Sequence, residues 1–334
     1  MLNKQNIIGC ATVMLLTAGL LAACSTDDDG IDNGGGATEI RLNADCWRVM
    51  EGTRAVTYDS DAQLQASSFA CYAYEDGTTT QYISGSTVSY SDSQWTFDDG
   101  KHYWPASGAL NFFAYMPADL IGTYCTFDPM AYDASDNADG YSDDSPRIVC
   151  TNLPVSFTVG SDDTQELIFA YTADQDKFGT NSTLQPTPGY VGLTFKHPFA
   201  RVIFKLSEES GTDVTINKIT VTAADGTAVV KNNGTCTFNG TTATWTPTGD
   251  AANFVVSGSP ATHDTRAYLV IPQTFSTNLK FTADVTWNEW LEVRRDISAT
   301  VTVDSWAPGT SYTYSITLNK NAMKVETTKY TEQW

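Results

Sequence analysis

Glu39-Ile40-Arg41-Leu42-Asn43-Ala44-Asp45-Cys46 alternates polar with apolar or small side chains without a break. A period of two places Ile40, Leu42, Ala44 and Cys46 on one face of a strand and the polar residues on the other. The pattern continues outward. Runs rich in β-branched and aromatic residues predict strands at 68–75, 87–90, 94–97, 110–116, 148–150, 156–159 and 166–170. Asp76-Gly77, Asp98-Asp99-Gly100 and Ser107-Gly108 separate them as turns. A second series follows at 192–195, 201–206, 214–222, 235–238, 242–245, 266–271, 279–287, 292–303 and 311–318. Within it Asp225-Gly226 and Asn239-Gly240 read as hairpin turns. Strands at this spacing, with no long amphipathic helical pattern, predict an all-β chain of two antiparallel β-sandwiches in tandem.

The 334 residues suit about two domains. Residues 184–190, with Pro186, Pro188 and Gly189, are the expected boundary. The N-terminal sandwich then spans 39–187 and the C-terminal one 188–321. Residues 128–146 read as a polar loop. The tail, 322–334, has a strand-like composition with no Pro or Gly. No turn and return strand follow it, so it lacks an obvious partner in its own chain. The formal charge of −20, from 39 acidic against 19 basic side chains, argues against a nucleic-acid partner.

At the other end, Lys4 precedes an apolar run from Ile7 to Leu21, closed by Leu21-Ala22-Ala23-Cys24. The run is too short to span a bilayer and reads as a signal peptide over residues 1–23. Its ending resembles the lipobox of bacterial lipoproteins. The resemblance implies cleavage between Ala23 and Cys24 and acylation of the Cys24 thiol. Residues 24–38, with Asp27-Asp28-Asp29 and Gly34-Gly35-Gly36, form a flexible acidic tether. The acidic run also resembles the surface-export signal of Bacteroidetes lipoproteins; a plain solvated linker fits it equally well. No second apolar span occurs, so membrane attachment is expected through lipid alone.

Seven cysteines occur, at positions 10, 24, 46, 71, 125, 150 and 236. No C-x-x-C pair is present, which removes support for a zinc ribbon or thioredoxin-type site. Cys125 and Cys150 flank an Asp/Ser-rich stretch and can close it as a disulfide loop. The preferred reading keeps every cysteine beyond Cys24 as a small buried apolar side chain.

Several segments carry a wider resemblance. They are Tyr103-Trp104-Pro105, Leu110-Asn111-Phe112-Phe113-Ala114-Tyr115-Met116-Pro117, Leu167-Ile168-Phe169-Ala170 and Leu193-Thr194-Phe195-Lys196-His197 running on to Ala200-Arg201-Val202. Trp306-Ala307-Pro308-Gly309, with Tyr312, Tyr314 and Ile316, completes the set. Their order, with the lipobox and Thr53-Arg54-Ala55, resembles the fimbrillin-like pilins of Bacteroidetes. The resemblance implies two transthyretin-like sandwiches, export as an outer-membrane lipoprotein precursor, and clipping after an N-terminal arginine. Clipping removes the first strand with its lipid. A neighbouring subunit's C-terminal strand fills the gap, and a cell-surface fimbrium grows that supports adhesion and biofilm formation. Some relatives stay lipid-anchored at the base and others sit at the tip. The partners implied are other fimbrial subunits and, before clipping, the outer membrane.

On this reading Arg54 is the preferred cleavage site and Ala55 the new N-terminus, with Arg48 and Arg41 behind it. The displaced strand takes Ile40, Leu42, Ala44 and Cys46 with it. Large apolar side chains there contribute roughly 1.5–3 kcal/mol each when buried, which a replacement strand must match. In the tail, Val325, Thr327, Tyr330 and Trp334 are the candidate fillers, although one alternating row does not carry all four. The alternative is that the tail adds to its own C-terminal sheet.

Catalysis has little support. His102, His197 and His263 lie in no recognised pattern, and G-x-S-x-G, H-E-x-x-H and Walker motifs are absent from the sequence. Ser135-Asp136-Asn137-Ala138-Asp139-Gly140 partly resembles a calcium loop. Ser135 replaces its first Asp and Pro146 its bidentate Glu, so no metal or other cofactor is assigned. Trp95, Trp287 and Trp290 are candidate sugar-stacking rings for the alternative function, a monomeric glycan-binding surface lipoprotein. Core packing is the favoured reading for them.

Overall fold

Strands carry nearly all of the regular backbone in the computed structural model. It describes residues 37–46, 61–78, 80–119, 121, 124–128, 146–153, 155–157, 167–179, 187–209, 213–256, 265–287, 292–319 and 322–331. The chain runs β1 (Arg41–Cys46), a short helix α1 (Asp61–Gln65), β2 (Phe69–Glu75), β3 (Gln81–Ser91), β4 (Gln94–Phe97), β5 (Leu110–Met116), β6 (Cys125–Asp128), β7 (Arg147–Cys150), β8 (Val155–Phe157) and β9 (Ile168–Gln175). It continues as β10 (Tyr190–Phe195), β11 (Ala200–Glu208), β12 (Val214–Ala223), β13 (Val230–Phe238), β14 (Ala243–Ala252), β15 (Phe254–Val256) and β16 (Thr265–Val270). Then come β17 (Gln273–Thr274), β18 (Leu279–Trp287), β19 (Glu292–Val301), β20 (Ser305–Trp306), β21 (Thr310–Leu318) and β22 (Met323–Thr331).

The first sheet has the order β10-β1-β4-β3-β2-β5-β9. β5 is buried along its whole length because its two faces meet different cores. Leu110, Phe112, Ala114 and Met116 join the N-terminal core, and Tyr115 joins a second one. A strand covered on both faces reads as a continuous apolar run. The second core draws on Ile148 of β7, Phe238 of β13 and Leu269 of β16, so it knits the two halves of the chain together.

The C-terminal half stacks the sheet β22-β21-β11-β16-β8 on the sheet β15-β12-β18-β19. Both contribute to one core centred on Phe204. The Phe204 ring lies 5.6 Å from Phe254, 5.9 Å from Tyr268, 6.2 Å from Phe281 and 5.7 Å from Tyr314. Trp306 closes this core, its indole N–H donating to the Tyr314 hydroxyl at 2.9 Å.

The all-β architecture follows the sequence, and three details depart from it. Two pairings are parallel rather than antiparallel, β1 with β10 and β11 with β21. The segment at 184–190 does not separate the sheets: β10 follows it yet completes the first sheet. β7 and β8 precede it yet pair with β13 and β16. Proline and glycine mark a chain reversal, whereas strand pairing is decided by distant segments. The third departure is a disulfide between Cys125 and Cys150, so the all-thiol reading fails. β6 and β7 pair in a register that sets these two residues directly opposite each other. Cys71 and Cys236 are buried free thiols, and burial pushes both well up from the usual thiol range.

The disulfide spans 25 residues of sequence. Loop-closure entropy for such a span is worth about 3.5 kcal/mol. Cys125→Ser with Cys150→Ser should therefore lower the urea midpoint markedly and abolish its sensitivity to reductant. An unchanged midpoint would show that the bridge constrains nothing.

A second test concerns Lys196, which is buried beside the Phe169 backbone. Burial pushes its amine below the usual lysine range. The folded chain then holds that proton less tightly than the unfolded chain, so this residue's contribution to stability improves as pH rises. Lys196→Met should stabilise the protein at neutral pH, with the gain shrinking toward alkaline pH. A gain independent of pH in paired urea titrations would refute the assignment.

Candidate functional site

β1 is an interior strand, held on both edges. On one side six residues run parallel to β10, from Arg41 opposite Tyr190 to Cys46 opposite Phe195. On the other, Leu42 stands opposite Trp95 of β4. The approach to β1 is gripped as well. The Ile40 N–H donates to the His102 carbonyl at 2.8 Å, and the Trp104 N–H to the Thr38 carbonyl at 2.8 Å. Lys101 donates to Glu39 at 2.8 Å across the same seam. The Gly189 carbonyl accepts from the Arg41 N–H at 2.9 Å and from the Trp104 indole at 3.3 Å.

The inward row matches the sequence reading. Ile40 and Leu42 are 2% and 4% exposed, and half-buried Ala44 packs against the same core. Val191 and Leu193 of β10, with Trp95, belong to that core. Withdrawing β1 would uncover their side chains and leave backbone donors and acceptors unpaired on both walls. An added strand is the kind of occupant that would pair such backbone edges and fill alternate side-chain positions together.

His102 helps to set the wall. Its Nε2 lies 3.0 Å from Asp99 Oδ1 and 3.4 Å from Ser86 Oγ, while the Ser86 hydroxyl donates to Asp99 Oδ2 at 2.7 Å. Partial burial pulls the Asp99 carboxyl upward, but hydrogen bonds from Ser86 and His102, with the charge on His102, outweigh it and hold it below the usual range. The three residue types match a hydrolase triad; the geometry does not. A triad places serine and carboxylate on opposite imidazole nitrogens, and here one nitrogen faces both. The cluster instead pins the loop whose His102 carbonyl and Trp104 N–H hold the first strand.

Arg41, a fallback cleavage site, lies inside β1 with its guanidinium 5.7 Å from the Tyr190 ring centre, so it is not on an open loop. Ala23, Cys24, Arg48, Arg54, Ala55 and Trp334 lie outside the described residues, as do 135–145 of the acidic loop and Trp290. Trp95 and Trp287 are core residues, 7% and 2% exposed, which removes them as sugar platforms.

The tail corrects one expectation. It has a partner in its own chain: β22 pairs antiparallel with β21, from Met323 opposite Leu318 to Thr331 opposite Thr310. The reversal is made by Asn319, whose N–H donates to the Ala322 carbonyl and whose Oδ1 accepts from the Ala322 N–H. A turn without glycine or proline leaves little mark on a sequence, and Asn319 is the one local signal. Met323 is buried and Val325 half-buried, while Thr327 is exposed. Met323 was missed in the sequence reading because it sits next to the turn.

The sequence matches the model of the fimbrillin-like family over residues 53–334. No curated protein matches it. Among solved structures, a fimbrial protein from Bacteroides vulgatus ATCC 8482 is similar at 18% identity and a TM-score of 0.53, covering 88% of this chain and 99% of its own. A candidate cell adhesion protein from Bacteroides uniformis ATCC 8492 is similar at 17% identity and a TM-score of 0.51, again over 88% of this chain and 99% of its own. Both likenesses are of fold, and the family match covers most of the chain. The chain belongs to the fimbrillin-like family.

Proposed function

We propose that this protein is a structural subunit of cell-surface fimbriae, exported as a lipoprotein through Cys24 and assembled by strand replacement. Proteolysis after Arg54 would free Ala55 as the mature N-terminus and release β1 with its lipid. The C-terminal strand of another subunit would then fill the vacated slot. The protein performs no chemistry itself; its work is mechanical, in surface adhesion and biofilm formation.

One observation carries this reading: β1, the one strand ahead of the proposed cleavage site among the described residues, is an interior strand. Ile40 and Leu42 are buried members of the N-terminal core, yet β1 is joined to the rest through residues 47–60, which hold Arg48 and Arg54. An interior strand supplied from a chain end can be exchanged without rethreading the fold. Membership of the fimbrillin-like family supports the same reading. N-terminal sequencing of protein shaved from the cell surface should find chains beginning at Ala55. Finding only chains that begin at acylated Cys24 would assign the protein to an anchor or to a non-polymerising lipoprotein.

A further inference from the structure

β13 and β14 meet the short pair β17 and β20 around a cleft of about 580 Å³. That volume lies within the range of about 300–1,000 Å³ usual for small-molecule sites. Half-buried Trp245 supplies an aromatic wall. Its indole N–H donates to the Pro198 carbonyl at 2.6 Å, and its ring lies 5.2 Å from that of Phe199. The side chain is therefore fixed before any ligand arrives, and it has only its π surface left to offer. Gln273 fixes the opposite wall. Its Oε1 accepts from the Lys231 N–H at 2.9 Å, while its Nε2 donates to the Lys231 carbonyl at 3.2 Å and to the Ile271 carbonyl at 3.0 Å.

The Lys231 amine is the cation of this cleft, in a chain whose formal charge is −20. It makes one long contact, 3.5 Å to the Pro247 carbonyl, and no ion pair among the described residues. No Asp or Glu is among the described residues that line the cleft. Thr274 and Ser305 stand opposite each other on the lining, and neither hydroxyl is hydrogen-bonded among the described residues. The cleft thus presents one aromatic surface, one cation and two hydroxyls. A sugar ring answers the first with its C–H face, a carboxylate answers the second, and ring hydroxyls answer the third. A peptide answers less well. Pro247, Pro272 and Pro308 line the cleft, and proline has no N–H to pair with a peptide carbonyl.

We propose that this cleft binds a carboxylated sugar, its ring stacked on Trp245 and its carboxylate on Lys231. The proposal deepens the adhesion reading above, on which its biological role rests, by naming the ligand class. Its geometry is independent of assembly. β13, β14, β17 and β20 form the cleft, and neither the strand to be removed nor the tail lines it. The site is therefore present before clipping and after polymerisation alike.

The test uses the unclipped full-length protein and three probes: trigalacturonate, trimannuronate and sialyllactose, each beside its neutral methyl ester. At least one acid should bind in titration calorimetry and quench tryptophan fluorescence, and its ester should bind about tenfold more weakly, the effect of one charge-assisted hydrogen bond. Lys231→Met keeps the apolar stem and should bind acid and ester equally. Trp245→Ala should bind neither, while Trp245→Phe should keep part of the affinity; a urea titration of each variant separates lost binding from lost folding. Binding by none of the acids overturns the proposal. So does equal binding of acid and ester by wild-type protein, or an acid preference that survives in folded Lys231→Met. A proline-rich peptide that binds where every sugar fails would reassign the cleft to a peptide. Sugar binding by a protein that never polymerises after clipping would refute the assembly reading alone, and polymerisation without sugar binding would refute this site alone.

Discussion

Protein lacking residues 322–334 should stay folded, accept clipping, and form no polymer. The two halves of that outcome come from the same strand. At home, β22 is an edge strand whose main buried side chain is Met323. Its removal forfeits roughly 1.5–3 kcal/mol of apolar burial, with a smaller amount from Val325. The backbone groups it leaves behind on β21 face solvent and rehydrate, so they carry little of the penalty that buried orphans do. Domains are typically stable by about 5–15 kcal/mol, which absorbs the loss. Under the proposed assembly, polymer formation has no such margin, because the tail is the strand that would reach a neighbour's slot. Thermal melting and SDS-resistant ladders after clipping measure the two halves. A persistent ladder would place the donor elsewhere in the chain.

Phe204→Ala should be the most damaging single change to stability. Phe204 is fully buried, and four aromatic rings surround it from β15, β16, β18 and β21. These strands belong to both C-terminal sheets, so the ring is the contact between layers. Removing a buried phenyl costs about 3–5 kcal/mol in lost transfer energy and residual cavity. That is comparable with the whole stability of a modest domain. The variant should lose its cooperative urea transition or shift it far down. Val293→Ala is the control: Val293 is 54% exposed on β19, and surface changes of this kind stay within about 0.5 kcal/mol. Equal effects from the two variants would mean that the C-terminal core does not hold the sheets together.

The first strand was legible because its signal is local. Alternation at Ile40, Leu42 and Ala44 exists only if one face is buried and the other is not. The turns at Asp225-Gly226 and Asn239-Gly240 were legible for a similar reason. Gly226 and Gly240 take positive φ, which glycine adopts without strain, and Asp225 and Asn239 accept hydrogen bonds from the residues just after them. β5 was legible as a strand but not as one between two cores, because burial on both faces erases the alternation. Cys125 and Cys150 were legible only as a candidate pair flanking a polar stretch, since the choice between thiols and a disulfide depends on the register between β6 and β7.

From the residues alone came the strands, most of the turns, the all-β class and the amphipathic character of the opening strand. All of these follow from side-chain size, polarity and backbone freedom within a few residues. The partners were decided elsewhere. That β1 lies parallel to β10, that β7 and β8 cross to the C-terminal strands, and that β22 folds back on β21 emerge only in three dimensions. Every strand presents the same backbone donors and acceptors, so alternation says which face is buried but not which neighbour pairs with which edge. That choice is made when the cores close and each edge takes the strand that brings its apolar row into contact.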